Sequence, residues 1–382
     1  MSRSVRNPWL HRFAVLTAVA TLALMGIGGL VTSHEAGMAV PDWPTSYGYN
    51  MFLFPIASWW HGGNIFYEHS HRLFASGVGF LTTILAVWLW LKESRGWLRW
   101  LGVIAFVAVV LQGVLGGLRV VLIKDQIGIF HATLAQLFFV CTCAIALFTS
   151  RWWVEFNVGQ ASRPSSRAKQ GDGREEPISD VRRAGETPAL LSARRWFIAT
   201  TVLIFLQLLL GATMRHQHAG LAISDFPLAY GRLWPATDAA SVTHYNEMRP
   251  ATNSLNPITA FQIELQMAHR IVAVLILVGV ALCVRFALRH FSRRSPLTKL
   301  AFLWLGLIVA QICLGAATVL SNKAADVATA HVLLGALSLA TGATLCIISS
   351  RSLEPVRAAA LPSTGRPVPD SSALAAGTAT AQ

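Results

Sequence analysis

The sequence predicts an all-α, polytopic membrane protein, its eight transmembrane helices arranged as two pseudo-symmetric four-helix bundles. Three observations predict it. Hydrophobic residues make up 54% of the 382 positions and charged residues 13%, about half the charged share of a typical soluble domain; mean hydropathy is +0.51. Eight apolar runs each approach the roughly 20 residues that a helix needs to cross a bilayer. The second half of the chain also repeats the first. These values exclude a disordered chain and argue against an ordinary soluble protein.

The runs cover residues 13–32, 69–91, 100–119, 128–149, 196–214, 263–286, 298–320 and 328–349. The first is long, lacks an A-x-A site and resembles a later run, so it is expected to stay in the protein. Net charge is +13, but the basic residues sit in loops between apolar runs, so no nucleic-acid partner is expected. Of the 31 Lys and Arg, 23 flank one side of the spans; the other side carries Arg119, Lys124, Arg215, Arg232, Arg249 and Lys323. That bias places both termini in the cytoplasm of a multi-pass protein of the cell (inner) membrane. Cys141, Cys143, Cys283, Cys313 and Cys346 all lie within apolar runs, which speaks against a disulfide framework. Residues 158–193 are polar and rich in Gly, Pro and Ser, and read as a disordered linker, as does the tail. The expected division is a bundle over 1–150, a linker over 151–195, a second bundle over 196–350 and a tail over 351–382.

The repeat is specific. AGMAVPDWPTSYG (36–48) returns as AGLAISDFPLAYG (219–231), and EHSHRLFAS matches QMAHRIVAV. Gln112 and Gly116 match Gln311 and Gly315. Each half has four spans, so both enter the membrane from the same side and the repeat is parallel. Asp42 and Asp225, inside the repeated motif, are expected to hold a turn or cap a helix. The aromatic outer loops are expected to fold as lids.

Twelve histidines are present, and four recur at matched places: His71 with His269, and His131 with His331. Each lies near the start of an even-numbered span, so all four sit near the outer face. Paired within a half, they can aim at one point of a bundle core. Imidazole suits several metals, but few acidic or thiolate groups accompany these. Small residues flank them. That donor set favours a flat apolar macrocycle with two axial imidazoles, a haem, in each half. A lone membrane histidine is usually an interhelical hydrogen bond; duplication argues otherwise. Arg72 and Arg270 follow their histidines directly, and are expected to pair with haem propionates, snorkelling being the alternative.

One asymmetry stands out. Glu68 precedes His71 by one helical turn and shares its face; the matching residue is Gln266. A carboxyl group beside an iron porphyrin in one half alone points to chemistry in that half and a fixed redox group in the other. Pairing of Glu68 with Arg72 at i+4 is the alternative, and both readings hold together. His69 is expected at the interface, and His216 and His218 in an outer loop.

These residues carry a resemblance. With AGMAVPDWPTSYG, EHSHR, GIFHATLAQ, MAHR and ATAHVLLGAL, the chain resembles the haem A synthase family over all eight spans. The resemblance implies haem b as cofactor between His269 and His331, and haem O as substrate near His71 and His131. It implies that Glu68 is the catalytic residue. The implied reaction oxidises a ring methyl of haem O to a formyl group in two steps, for the haem of terminal oxidases. It implies functional links to a haem O synthase and an electron-transfer partner within the lipid membrane. Residues 33–68 lack the cysteine pair of some bacterial members, so the chain is similar to the cysteine-free type. A bis-histidine di-haem b-type electron-transfer cytochrome would explain the histidines, but not a glutamate confined to one half. A transporter would explain the repeat, but transporters usually bind at broken helices near the bilayer midplane.

Overall fold

The computed structural model describes residues 7–155, 178–249 and 257–360. Among them are eight helices long and apolar enough to cross a membrane, at the eight expected places: α1 (Pro8–Ser33), α2 (Asn64–Lys92), α3 (Gly96–Leu122), α4 (Asp125–Thr149), α5 (Ile178–His216), α6 (Ala260–His290), α7 (Pro296–Leu320) and α8 (Ala325–Ala360). Among the described residues no strand forms beyond two isolated bridges. The chain is an all-helical, multi-pass membrane protein.

The helices outrun their apolar cores because polar residues cap them. The Asn7 side chain accepts from the N–H groups of Trp9 and Leu10 (3.1 Å each), with Pro8 in the first turn. Thr259 and Gln262 form a reciprocal capping box that opens α6, satisfying two otherwise orphaned donors. Two expectations are corrected here. α5 reaches back to Ile178 and α8 on to Ala360, so 178–195 and 351–360 are helical where an irregular linker and tail were expected. Residues 151–155 are helical as well, and residues 156–177 and 361–382 lie outside the described residues.

Helix neighbours close into two rings. In the first, α1 touches α2 and α4, and α3 touches α2 and α4; in the second, α5 touches α6 and α8, and α7 touches α6 and α8. The rings meet where α1 packs on α8, and where α4 packs on α5 and α8. Each ring is packed most tightly at the end away from the long loops. Leu10, Leu85, Leu89, Leu98 and Ile145 fill the first ring there; Phe197, Val280, Leu297, Trp304 and Leu345 fill the second. Arg95 binds Glu93 (2.8 Å) and donates to the Phe148 carbonyl (3.0 Å), tying the α2–α3 turn to the end of α4.

Trp304 is the largest fully buried side chain of the second ring, and its Nε1 donates to the Ser338 carbonyl (2.8 Å) across to α8. Trp304→Phe keeps most of the ring volume but removes that interhelical bond. A typical intramolecular hydrogen bond contributes about 0.5–1.5 kcal/mol net, so the thermal midpoint of the purified protein should fall by a few degrees. An unchanged midpoint would mean that the bond contributes nothing to the packing of α7 on α8.

Candidate functional site

The four duplicated histidines occupy four equivalent notches. His71 on α2 lies against Gly28 of α1, and His131 on α4 against Gly116 of α3. His269 on α6 lies against Gly211 of α5, and His331 on α8 against Gly315 of α7. A Cβ placed on these glycines would come within 3.0–3.4 Å of the imidazole Cε1. Each ring therefore packs where its neighbour carries no side chain, and an added Cβ would crowd it, most tightly at His71 and His331. All four histidines are half-buried, at the long-loop end, where the packed cores stop.

Within each ring of helices the two histidines sit on opposite members, α2 and α4 or α6 and α8. Each pair is close enough for one imidazole to act electrostatically on the other. Buried polar atoms are normally hydrogen-bonded, yet Nδ1 of His71, His131 and His269 is buried without a partner among the described residues. His331 Nδ1 instead lies 3.1 Å from the Gln311 carbonyl, the kind of outer bond that orients a metal-binding imidazole. Gln112 and Gln207 donate to the backbone carbonyls of His131 (3.1 Å) and His269 (2.9 Å), fixing those helix turns. Among the described residues no three His, Cys, Asp or Glu side chains converge. Two imidazoles on opposite helices of an apolar bundle, with no third ligating side chain beside them, fit an iron porphyrin better than a compact ion that needs four protein ligands.

Glu68 is buried and does two jobs. Its Oε2 accepts from the Val40 N–H (2.8 Å) and its Oε1 from Arg72 Nη2 (2.7 Å). Gln266 does the equivalent work in the other half. Its Oε1 accepts from the Ile223 N–H (2.7 Å), and its Nε2 donates to the Ile223 carbonyl (3.1 Å). In the first half the matching carbonyl, that of Val40, is taken by Arg72 Nη2 (2.7 Å). A carboxylate plus guanidinium in one half and a single amide in the other thus latch the same turn of loop.

Several expected placements are corrected. Arg72 also donates to the carbonyls of Asp42 (2.7 Å) and Thr45 (3.1 Å), so its terminal nitrogens serve the loop and Glu68. Arg270 likewise serves the Leu228 (2.9 Å) and Asp225 (2.8 Å) carbonyls. His69 is not interfacial. It is 1% exposed, 3.2 Å from Ser46 Oγ and between Phe54 and Trp59, because the aromatic loop folds back over the start of α2. His216 is not in a loop. It ends α5, buried in the notch left by Gly128 of α4, where the two halves meet.

The loops are built on the repeated aspartates, as expected of turn residues. Asp42 accepts from the Tyr47 and Gly48 N–H groups (2.7 and 2.8 Å), and Asp225 from those of Tyr230 and Gly231 (2.8 and 3.0 Å). The second residue of each pair, Gly48 or Gly231, has positive φ, which glycine adopts without strain. Tyr47 and Tyr230 return their hydroxyls to the carbonyls of Ala39 and Ala222. Trp43 lies across Gly117 at the loop end of α3, so the first loop closes over its ring.

With that geometry in hand, comparison with known proteins is decisive at the family level. The sequence profile of the cytochrome oxidase assembly protein family (COX15-CtaA) matches residues 11–342. The chain belongs to this family. The match spans all four histidines, both latches and both aspartate turns. Among its relatives, the Heme A synthase of Halalkalibacterium halodurans is 24% identical over 351 residues, 90% of this chain and 99% of the relative. That of Geobacillus kaustophilus is 25% identical over 342 residues, 87% of each chain. That of Rhizorhabdus wittichii is 25% identical over 369 residues, 88% of this chain and 93% of the relative.

Burial opposes ionisation of Asp42, but donors from Gly48, Thr45 and Tyr47 outweigh it and hold its carboxyl down at about 2. A depressed folded value contributes stability that is complete above the unfolded value and lost as pH falls through the folded one. Between about pH 4 and 2 the first loop should therefore loosen, read as faster proteolysis within 36–62. Asp42→Asn should lack that acid step. A wild-type loop equally protected at both pH values would show that the carboxylate charge does not hold the turn.

Proposed function

We propose that this membrane protein is a haem A synthase. The first ring of helices would hold haem O as substrate between His71 and His131. The second would hold haem b as cofactor between His269 and His331. The notches fit both: each presents one imidazole to the bundle axis from a wall that has no side chain of its own. The reaction is an oxidation of a CH3 group on haem O, in two successive steps, to a formyl group. Haem b would supply one-electron redox chemistry. Haem O would come from a haem O synthase, and an electron-transfer partner would exchange electrons with the protein. We place the chain in the inner (cytoplasmic) membrane with both termini in the cytoplasm and the haem sites near the outer face, from the Lys and Arg bias.

One observation carries the assignment of roles. The imidazole–glycine pairs are present in both halves, whereas the carboxylate in the latch is present in one. Glu68, ion-paired with Arg72, accepts hydrogen bonds; in that state it can take up a proton released as the methyl carbon is oxidised, or stabilise positive charge developing at the porphyrin edge. Gln266 can do neither. The latch fixes where the carboxylate stands, one turn from His71, and the loop closes above it.

Gln266 also shows what substitution should do. Glu68→Gln retains an acceptor for the Val40 N–H, so the loop should stay closed and the haem b spectrum should remain. Haem A formation, measured by pigment extraction from cells that make haem O, should fall by about 10²–10⁴-fold, the usual contribution of a positioned acid–base group. Undiminished haem A would remove Glu68 from the chemistry. His269→Ala should abolish the bis-imidazole haem b spectrum of the purified protein; its persistence would mean the cofactor is held elsewhere. A wild-type protein that binds two b haems and forms no haem A in cells that make haem O would instead be a di-haem electron-transfer cytochrome.

A further inference from the structure

Three arginines stand around the first-half site, and two have work. Arg72 is committed to Glu68 and the loop carbonyls. Arg215 places Nη2 on the Gly29 carbonyl (2.6 Å) and Ser33 Oγ (2.7 Å), bracing α5 against α1. Arg119 differs. Among the described residues it makes no hydrogen bond and no ion pair; Glu68 and Asp125 act on it only through space. An arginine this near a helix end usually snorkels to water. Arg119 instead lies half-buried beneath the first loop. A Cβ on Gly37 would stand 3.1 Å from both of its terminal nitrogens. The loop has been given room to pass over this guanidinium.

Its position on α3 is informative. Gly116, which seats His131, precedes Arg119 by three residues. The two therefore share a face, with Arg119 one turn, roughly 5 Å, nearer the loop end. On α7 the second half has no such residue. Thr318 stands at the matching place on α7, its hydroxyl turned to the Leu314 carbonyl, and nothing lies within 4 Å of a Cβ on Gly220, the counterpart of Gly37. An unpaired cation costs free energy in a membrane bundle unless an anion joins it. A guanidinium is the side chain best shaped to hold a carboxylate through two parallel bonds.

We propose that Arg119 is the carboxylate-binding residue of the first-half site, pairing with an acidic side arm of the porphyrin held by His71 and His131. This rests on the reading of that pair as haem ligands. It replaces Arg72 as the residue that orients the macrocycle, with its acidic edge toward the loops and the opposite edge toward the packed core.

The test uses the full-length protein, purified with its second-half haem in place and made without a haem O source. Two probes, iron protoporphyrin IX and its dimethyl ester, are titrated into the first-half site and followed by the Soret band. The wild type should bind the free acid at least tenfold more tightly than the diester. Arg119→Gln should abolish that preference by weakening the acid alone, and Arg119→Lys should restore part of it. An unchanged diester affinity in Arg119→Gln reports that the site is still folded. Equal affinities in the wild type, a preference that survives Arg119→Gln, or a parallel loss of both probes would each overturn the assignment and leave the histidine pair standing. If neither probe binds the wild type, the first-half haem reading fails along with it.

Discussion

The arrangement depends on room beside an imidazole. A helical bundle packs its interior as densely as a molecular crystal, and a ring projecting from one helix normally meets a side chain of the next. Here each of four rings meets a glycine, so the imidazole can stand at the bundle wall and face the axis. The tight apolar clusters stop short of that level. Packing strength and ligand space are thus divided along the length of the same helices: one end holds the protein together, and the other is left for a large flat guest.

The latches show how one structural task admits two chemistries. The turns that begin at Val40 and Ile223 each offer a donor and an acceptor that must be satisfied. A glutamine satisfies both by itself. A glutamate can accept but not donate, so the first half requires a guanidinium beside it. The ion pair is the more demanding solution, because two charges must be removed from water, and it offers no evident advantage for closing a loop. Its retention where the amide would serve is a physical argument that the carboxylate is there for something other than the loop.

Much of this was legible in the sequence because membrane helices are specified by length and composition, which need no tertiary information. The eight spans were readable for that reason, as were the paired histidines and the turn aspartates, since duplication marks what both halves need. The helical extensions at 178–195 and 351–360 were not readable: their composition is that of a linker, and helix there is imposed by continuity with α5 and α8. The loop contacts of Arg72 and Arg270 were hidden too. Adjacency to a ligand suggested a role toward that ligand, while carbonyls some 30 to 45 positions away had the first claim. Gly28 and Gly211 carried a signal that matched spacing could have revealed, because they recur at the same offset as the loop motif.

Arg119 carried no such signal, and the reason is general. A comparison of two halves highlights what they share, and after that a single substitution inside a shared motif, as with Glu68 and Gln266. A residue that belongs to one half and lies outside every motif is invisible to it. Only its surroundings distinguish Arg119 from an ordinary interfacial arginine: no acceptor among the described residues, a loop glycine above, the His131 notch on its face below. The second half can dispense with a cation at that place on α7 if its porphyrin is a permanent resident that is never exchanged. A substrate must arrive in the right orientation at each turnover, and two opposed imidazoles alone cannot tell one edge of a macrocycle from another. A cation at one edge can.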